Sequence, residues 1–265
     1  MVPLAAALAG LLLAAPVPTQ NAKDPLRGIE IVERADAPLP LDTPFLDDQG
    51  RKVTLRGYLA PGRPVLLALV YYRCPMLCNL VLNGVVDAVK QAGLDASRDF
   101  EVVAISIDPE ETTGLAASKK ASYLRSLGVA GAEARWHFLT GAEPEIAGVA
   151  RAVGFGYRKD EKTGQYAHAA GIFVATPDGR LSRTLYGVEF APRDLRLSLV
   201  EASRGGVGSS MDRVFLACYD WDRSSGTYGV AAMRLVRVGS VLTALLLGGL
   251  LAALWWRDAR RHRTA

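Results

Sequence analysis

From Pro64 to Tyr72 the chain is apolar at every position, with Val, Leu and Tyr prominent, which is the pattern of a strand buried on both faces. Cys74 follows directly. After Pro75, which suits the first turn of a helix, Leu77, Leu80, Val81, Val85 and Val89 recur at helical spacing through Met76–Ala92. A second buried strand is expected over Phe100–Ile107 and a second amphipathic helix over Ala116–Leu127, stopped at Gly128. The rhythm is βαβ, with a cysteine placed where the first strand turns into its helix.

The remaining elements extend that architecture. Phe45 to Leu55 reads as a hairpin around Asp47, Asp48, Gln49 and Gly50, Trp136–Leu139 as a short strand and Pro144–Val153 as a helix. Gly171–Ala175 and Leu181–Tyr186 form a hairpin about Pro177-Asp178-Gly179, and a last helix follows Pro192. Strands interleaved with helices and closed by an antiparallel hairpin describe an α/β fold, a mixed sheet flanked by helices, rather than a bundle or sandwich. The expected organisation is a signal-like apolar segment at 1–20, a linker at 21–40 running over the surface, one domain at 41–203 and a connecting segment at 204–234. A transmembrane helix at 235–256 and a basic cytoplasmic tail at 257–265 complete it.

Val238 to Trp256 is nineteen residues without a charge, nearly enough at ~1.5 Å per residue to span a ~30 Å hydrocarbon core. It is apolar on every face, ends in Trp255-Trp256 and is flanked by arginines, with the larger group after it, so the tail is expected on the cytoplasmic side. Leu4 to Val17 resembles the apolar core of an export signal, although it lacks a basic start and an obvious cleavage site. Together the two ends predict a domain facing an oxidising periplasm, attached to the cytoplasmic membrane by one C-terminal pass. The net charge of +4 argues against nucleic acid, because four arginines against one aspartate in the last nine residues account for three of those charges.

Three cysteines are too few for a disulfide framework, and the odd number implies one functional pair, Cys74 and Cys78, with Cys218 left over. Thiols four residues apart at a helix start share a face, and the N-terminal N–H groups favour the thiolate. Soft thiolates select Cu(I), zinc or iron–sulfur centres. By spacing alone, a redox pair, a metal pair and an incidental pair all remain open. Cys218 is read as a buried structural thiol, His137 as a strand histidine and His262 as part of the tail.

Three separated motifs then narrow the choice. Tyr71-Tyr72-Arg73-Cys74-Pro75-Met76-Leu77-Cys78, Ser106-Ile107-Asp108-Pro109-Glu110 and Tyr166-Ala167-His168 before the Gly171–Ala175 strand resemble, in order, the Sco/SenC family, over roughly Leu41 to Ser203. The resemblance implies a thioredoxin-like fold, a copper site formed by Cys74, Cys78 and His168, and a role in building the binuclear copper centre of cytochrome c oxidase. Asp108, at the carboxyl end of a strand, is a candidate to hold the cysteine or histidine loop from behind, or equally to cap the Glu110–Thr113 turn. Two departures stand out: the family motif often ends Cys-Pro where this chain has Cys78-Asn79, and Asp220 stands where relatives with a similar tail often carry histidine.

The leading expectation is a copper metallochaperone, which needs no turnover and so is not expected to be an enzyme. Its partners would be the exported copper-binding domain of the oxidase and a periplasmic thiol reductant. The alternative is a thiol–disulfide oxidoreductase that reduces the oxidase cysteines, which uses the thiols but not His168. A peroxiredoxin-like peroxidase would need a Thr or Cys and Arg arrangement around one thiol, and none is found. Copper is favoured because His168-Ala169-Ala170 occupies the place where thioredoxins carry a cis-proline facing their cysteines.

Overall fold

The structure is a computed structural model that describes residues 28–60, 62–74, 77–203, 219–222, 226–230 and 232–261, leaving aside the side chains of 77, 78, 219, 220, 228–230, 232–238, 254 and 257–261. The signal-like segment, Cys218 and His262 lie outside the described residues.

A five-stranded sheet forms the centre. Its strands are β3 (Val65–Val70), β4 (Glu101–Ser106), β5 (Trp136–Leu139), β8 (Gly171–Ala175) and β9 (Leu181–Tyr186), in the order β5-β4-β3-β8-β9. β3, β4 and β5 are parallel, with Val65 opposite Glu101 and Val102 opposite Trp136. β8 runs antiparallel to β3, and β9 to β8. Every residue of β3, β4 and β8 is buried, as the unbroken apolar runs predict for interior strands. The crossovers between parallel strands are α1 (Leu77–Ala92) and α2 (Thr113–Leu127); α3 (Glu143–Val153) and α4 (Pro192–Ala202) complete the helical layers. The Thr112 hydroxyl accepts the Leu115 N–H at the start of α2, and Gly128 ends it in the left-handed conformation, φ 69°.

Trp136, Phe138, Phe100 and Tyr72 are among the largest fully buried side chains. The Tyr72 hydroxyl lies 2.9 Å from the Ala104 carbonyl and 2.8 Å from that of Leu139, so this polar group is satisfied inside the core. Burial holds its phenol well above the ordinary tyrosine range.

Two hairpins were not anticipated. β6 (Tyr157–Lys159) pairs with β7 (Tyr166–His168), and β10 (Tyr219–Asp222) with β11 (Thr227–Val230). The segment read as a wandering linker is instead tied down from residue 30 onward: Val32 N–H donates to Gly154 C=O, Asp36 N–H to Leu181 C=O, Leu39 N–H to Gly179 C=O, and Leu39 is buried. Main-chain pairing holds it, which residue type does not encode. The β1 (Pro44–Leu46) and β2 (Lys52–Thr54) hairpin forms as expected.

The C-terminal apolar run lies within a 30-residue helix, α5 (Ala232–Arg261). Its described side chains between Gly239 and Ala253 are exposed, with Leu246 at 74%. Among the described residues no helix is long and apolar enough to cross a membrane, so the expected span is not seen as such in this structure.

One glycine tests the packing of α1. A Cβ at Gly84 would sit 2.0 Å from the Val188 carbonyl oxygen. Helix propensity alone predicts that Gly84→Ala stabilises by about 1 kcal/mol, whereas pressing a methyl into backbone costs roughly 1–3 kcal/mol. The expected result in urea denaturation is a net loss of stability, and a gain would show that α1 does not seat against the Val188 loop.

Candidate metal centre

Because β3 and β4 are parallel and in register, Val70 lies opposite Ser106, and the loops after them leave from one edge of the sheet. That carboxyl edge is where α/β folds place ligands. The loop after β3 turns tightly, with the Cys74 N–H donating to the Tyr71 carbonyl at 3.2 Å, and Cys74 is buried. Cys78 falls in the first turn of α1, where unpaired N–H groups favour negative charge; its side chain lies outside the described residues.

The loop after β4 supplies an anchor that the sequence did not disclose. Glu111, whose side chain has no exposed surface, accepts the Tyr72 N–H at 2.7 Å and the Ser106 hydroxyl at 2.6 Å on Oε2. Its Oε1 accepts the Arg73 N–H at 2.6 Å and lies 3.6 Å from the Arg73 guanidinium. Asp108 Oδ2 accepts from Arg73 at 2.7 Å and its Oδ1 from the Glu110 N–H at 3.0 Å. The one hint in the sequence is the carboxylate pair Glu110-Glu111 after a buried strand. Periodicity does not say which of the two turns inward, and the outward one, Glu110, pairs with Lys159 at 2.8 Å.

A third tie runs from α1. Asn79 Nδ2 donates to the Cys74 carbonyl at 3.1 Å, while its Oδ1 accepts from Lys119 at 2.8 Å and from the Tyr123 hydroxyl at 3.3 Å. The departure from Cys-Pro therefore adds a polar link between the cysteine loop and α2. A proline at 79 has no side-chain donor with which to make it.

His168 ends β7, opposite Tyr157 at the base of the hairpin, and is buried. Its ring meets Tyr71 edge-on at 6.0 Å between centroids and Phe155 at 5.7 Å. Nδ1 lies 2.7 Å from the Ala169 carbonyl oxygen. A carbonyl only accepts, so this bond places the proton on Nδ1 and leaves the lone pair on Nε2. Burial pushes the imidazole below its ordinary value, opposed by that bond, which favours the neutral form that ligates metals.

Tyr71 thus touches both sides of the centre: its carbonyl receives the Cys74 N–H and its ring abuts His168. Asp108 joins the same region through Arg73. Among the described residues no group of three His, Cys, Asp or Glu side chains forms a metal cluster. His137 lies elsewhere, 3.0 Å from Glu101 and 4.1 Å from the Tyr58 ring, as a paired strand histidine. A cleft of about 430 Å³ is lined by Phe45, Leu46, Pro109, Glu111 and Glu145.

A family model described as SCO1/SenC matches residues 36–199 of the chain. The chain belongs to the SCO1/SenC family. The family match begins just after Arg34-Ala35 and covers every element from β1 to β9. No curated protein shows a significant match. Among solved structures, one from Aquifex aeolicus VF5 is 20% identical over 67% of this chain and 96% of that one, with a TM-score of 0.54. ScoI of Arabidopsis thaliana, solved with copper bound, is 22% identical over 64% of this chain and 99% of its own, TM-score 0.51. BsSco, described as a member of the Sco family of cytochrome c oxidase assembly proteins with a disulfide switch, is 21% identical over 65% and 98%, also at 0.51. At these identities the likeness establishes the fold, a mixed sheet with flanking helices of the thioredoxin-like kind seen in Sco proteins.

Glu111 offers a direct test. In Glu111→Gln one carboxylate oxygen becomes an amide NH2, which faces a backbone N–H or the Ser106 hydroxyl instead of accepting from it. Each buried donor left without an acceptor costs about 1–3 kcal/mol. The variant is expected to lose stability in that range by urea denaturation, and unchanged stability would remove Glu111 as the anchor of the loop.

Proposed function

We propose that this SCO1/SenC protein is a copper metallochaperone that binds copper through Cys74, Cys78 and His168 and passes it to an exported copper-binding domain of cytochrome c oxidase, where the binuclear centre is built. The observation that carries the reading is the buried His168, its Nδ1 2.7 Å from the Ala169 carbonyl oxygen and its ring against the tyrosine that turns the cysteine loop. Dithiol exchange does not require such an imidazole, whereas a soft ion held by two thiolates gains from a third, nitrogen donor. The donor set suits copper, which is cargo here. Supporting this, the Arabidopsis relative holds copper and BsSco belongs to a set of oxidase assembly proteins.

In the proposed arrangement the cysteines bind as thiolates, so a reducing partner must keep the pair from closing into a disulfide before loading. His168 supplies Nε2 without a proton to displace. Glu111, Asp108 and Asn79 hold the loop in place whether or not the ion is bound. The domain is proposed to face the periplasm, with Val238–Trp256 of α5 as the membrane anchor. The exposed leucines of that helix support an apolar surrounding, since a water-facing helix of this composition would expose a patch that soluble surfaces avoid. The reading in which the protein reduces the oxidase cysteines uses the same thiols and is separated by His168.

Replacing His168 with Ala is expected to abolish the Cu(II)–thiolate charge-transfer band of the copper-loaded protein while leaving reduction of a model disulfide intact. Copper binding equal to wild type would defeat the three-ligand reading. Removing Val238 to Ala265 should release the protein from membranes with its copper titration unchanged. Continued sedimentation with membranes would show that the anchor lies elsewhere.

A further inference from the structure

The β6–β7 hairpin that carries His168 is backed by a segment that precedes the family match. Residues 28–32 cross the start of the hairpin as an extra strand: Ile31 bridges Phe155 antiparallel, the Val32 N–H donates to the Gly154 carbonyl at 2.8 Å, and the Gly156 N–H donates to the Glu30 carbonyl at 3.0 Å. The approach is too close for side chains. A Cβ on Gly154 would lie 1.8 Å from the Val32 carbonyl oxygen, one on Gly156 2.4 Å from that of Gly28, and one on Gly171 2.8 Å from Ile31 Cδ1. Three separate glycines thus clear a track for this strap, which marks its seat as built rather than incidental.

From that seat a short route leads to the imidazole. Gly156, held by Glu30, accepts the Ala169 N–H at 3.4 Å, and the Ala169 carbonyl in turn takes the Nδ1 proton of His168 at 2.7 Å. Phe155, clasped between the two strap bonds, presses its ring on His168 at 5.7 Å and on Phe173 at 6.2 Å. We infer that the strap at residues 28–32 positions His168 for metal binding, fixing through Gly156, Ala169 and Phe155 both the proton-bearing nitrogen and the plane of the ring. The strap is a positioning element that acts through the imidazole. This inference rests on the proposed role of His168 as a ligand and adds a control on it from outside the family domain.

The consequence is that strap and copper are thermodynamically linked through the imidazole. Displacing the strap lowers the contribution of His168 while the thiols, anchored by Glu111, Asp108 and Asn79, keep theirs. Loss of partners that orient a metal-binding histidine typically weakens affinity by about 10–100-fold.

The test uses the full chain in detergent and copper as the probe. Gly156→Ala puts a methyl against the strap backbone at a position whose own φ is ordinary, and Val32→Pro removes one strap N–H at a residue whose side chain is half exposed. Each is compared with wild type and His168→Ala by copper titration, by nitrogen hyperfine coupling in the Cu(II) electron paramagnetic resonance spectrum, and by the rate at which Cys74 and Cys78 react with a disulfide. Circular dichroism checks that each variant is folded. The expected result for folded variants is roughly tenfold or more weaker copper binding and altered or lost nitrogen coupling, with thiol reactivity as in wild type. Addition of a peptide spanning residues 26–34 to Val32→Pro should restore the coupling in part. If both folded variants keep wild-type affinity and coupling, the strap does not position His168. If wild type itself shows no coupling that His168→Ala removes, it is the ligand reading that falls.

Discussion

A carboxylate taken wholly out of water is tolerable only when donors replace its hydration, because the penalty for a buried charge is several kcal/mol. Glu111 meets that condition with two backbone N–H groups, a serine hydroxyl and a guanidinium, and the groups that satisfy it are the cysteine loop itself and the strand end beside it. The requirement is mutual. The Tyr72 and Arg73 amides at the end of β3 would be orphaned without the acid, and the acid would be unsolvated without them. Parallel pairing of β3 with β4 makes the exchange possible, since it brings both loops out at one edge of the sheet. The conformation that presents Cys74 is thereby set by the protein, independently of any ion.

How far this was legible in the sequence follows from which forces residue type reports. β3, β4 and α1 were plain because burial on two faces writes itself as an unbroken apolar run and a helix as a repeat near 3.6. The turns at Gly128 and Gly179 were plain because each needs a left-handed backbone, φ 69° and 80°. β6 and β7 were not, because three-residue strands leave too short a pattern to read. The strap was taken for a linker for a related reason: its order comes from main-chain bonds to Gly154 and Gly156, and glycines selected for close approach look, in sequence, like glycines selected for turns. Of the proposed site, Cys74, Cys78, His168 and Asp108 were named from the motifs as positions. What it could not give was Glu111, since recognising a buried acid requires knowing which amides it faces.

Asn79 shows a local departure from a family pattern acquiring a physical content. Where relatives often carry proline, this chain places a side chain that donates to the Cys74 carbonyl and accepts from Lys119 and Tyr123 of α2. A proline stiffens the start of a helix by fixing φ. The amide achieves restraint differently, by tying the carbonyl of the loop to a neighbouring helix. The net effect on the loop is similar in kind, although the restraint now depends on the packing of α1 against α2.

The two halves of the proposed centre belong to different frameworks. Cys74 belongs to a network of Glu111, Asp108 and Asn79 on the carboxyl edge of the parallel strands; His168 belongs to a hairpin whose bonds run to Ala169, Gly156 and the strap. Among the described contacts they meet at Tyr71, whose carbonyl serves one framework and whose ring packs on Tyr166 and His168 of the other, and at the ion pair of Glu110 with Lys159 of β6. Residues joined in one hydrogen-bond network couple energetically, whereas the bonds that seat the His168 hairpin couple to the loop network only where the two touch. With copper bound as proposed, the seating of the hairpin would tune the contribution of the His168 nitrogen, and the loop network that of the Cys74 sulfur.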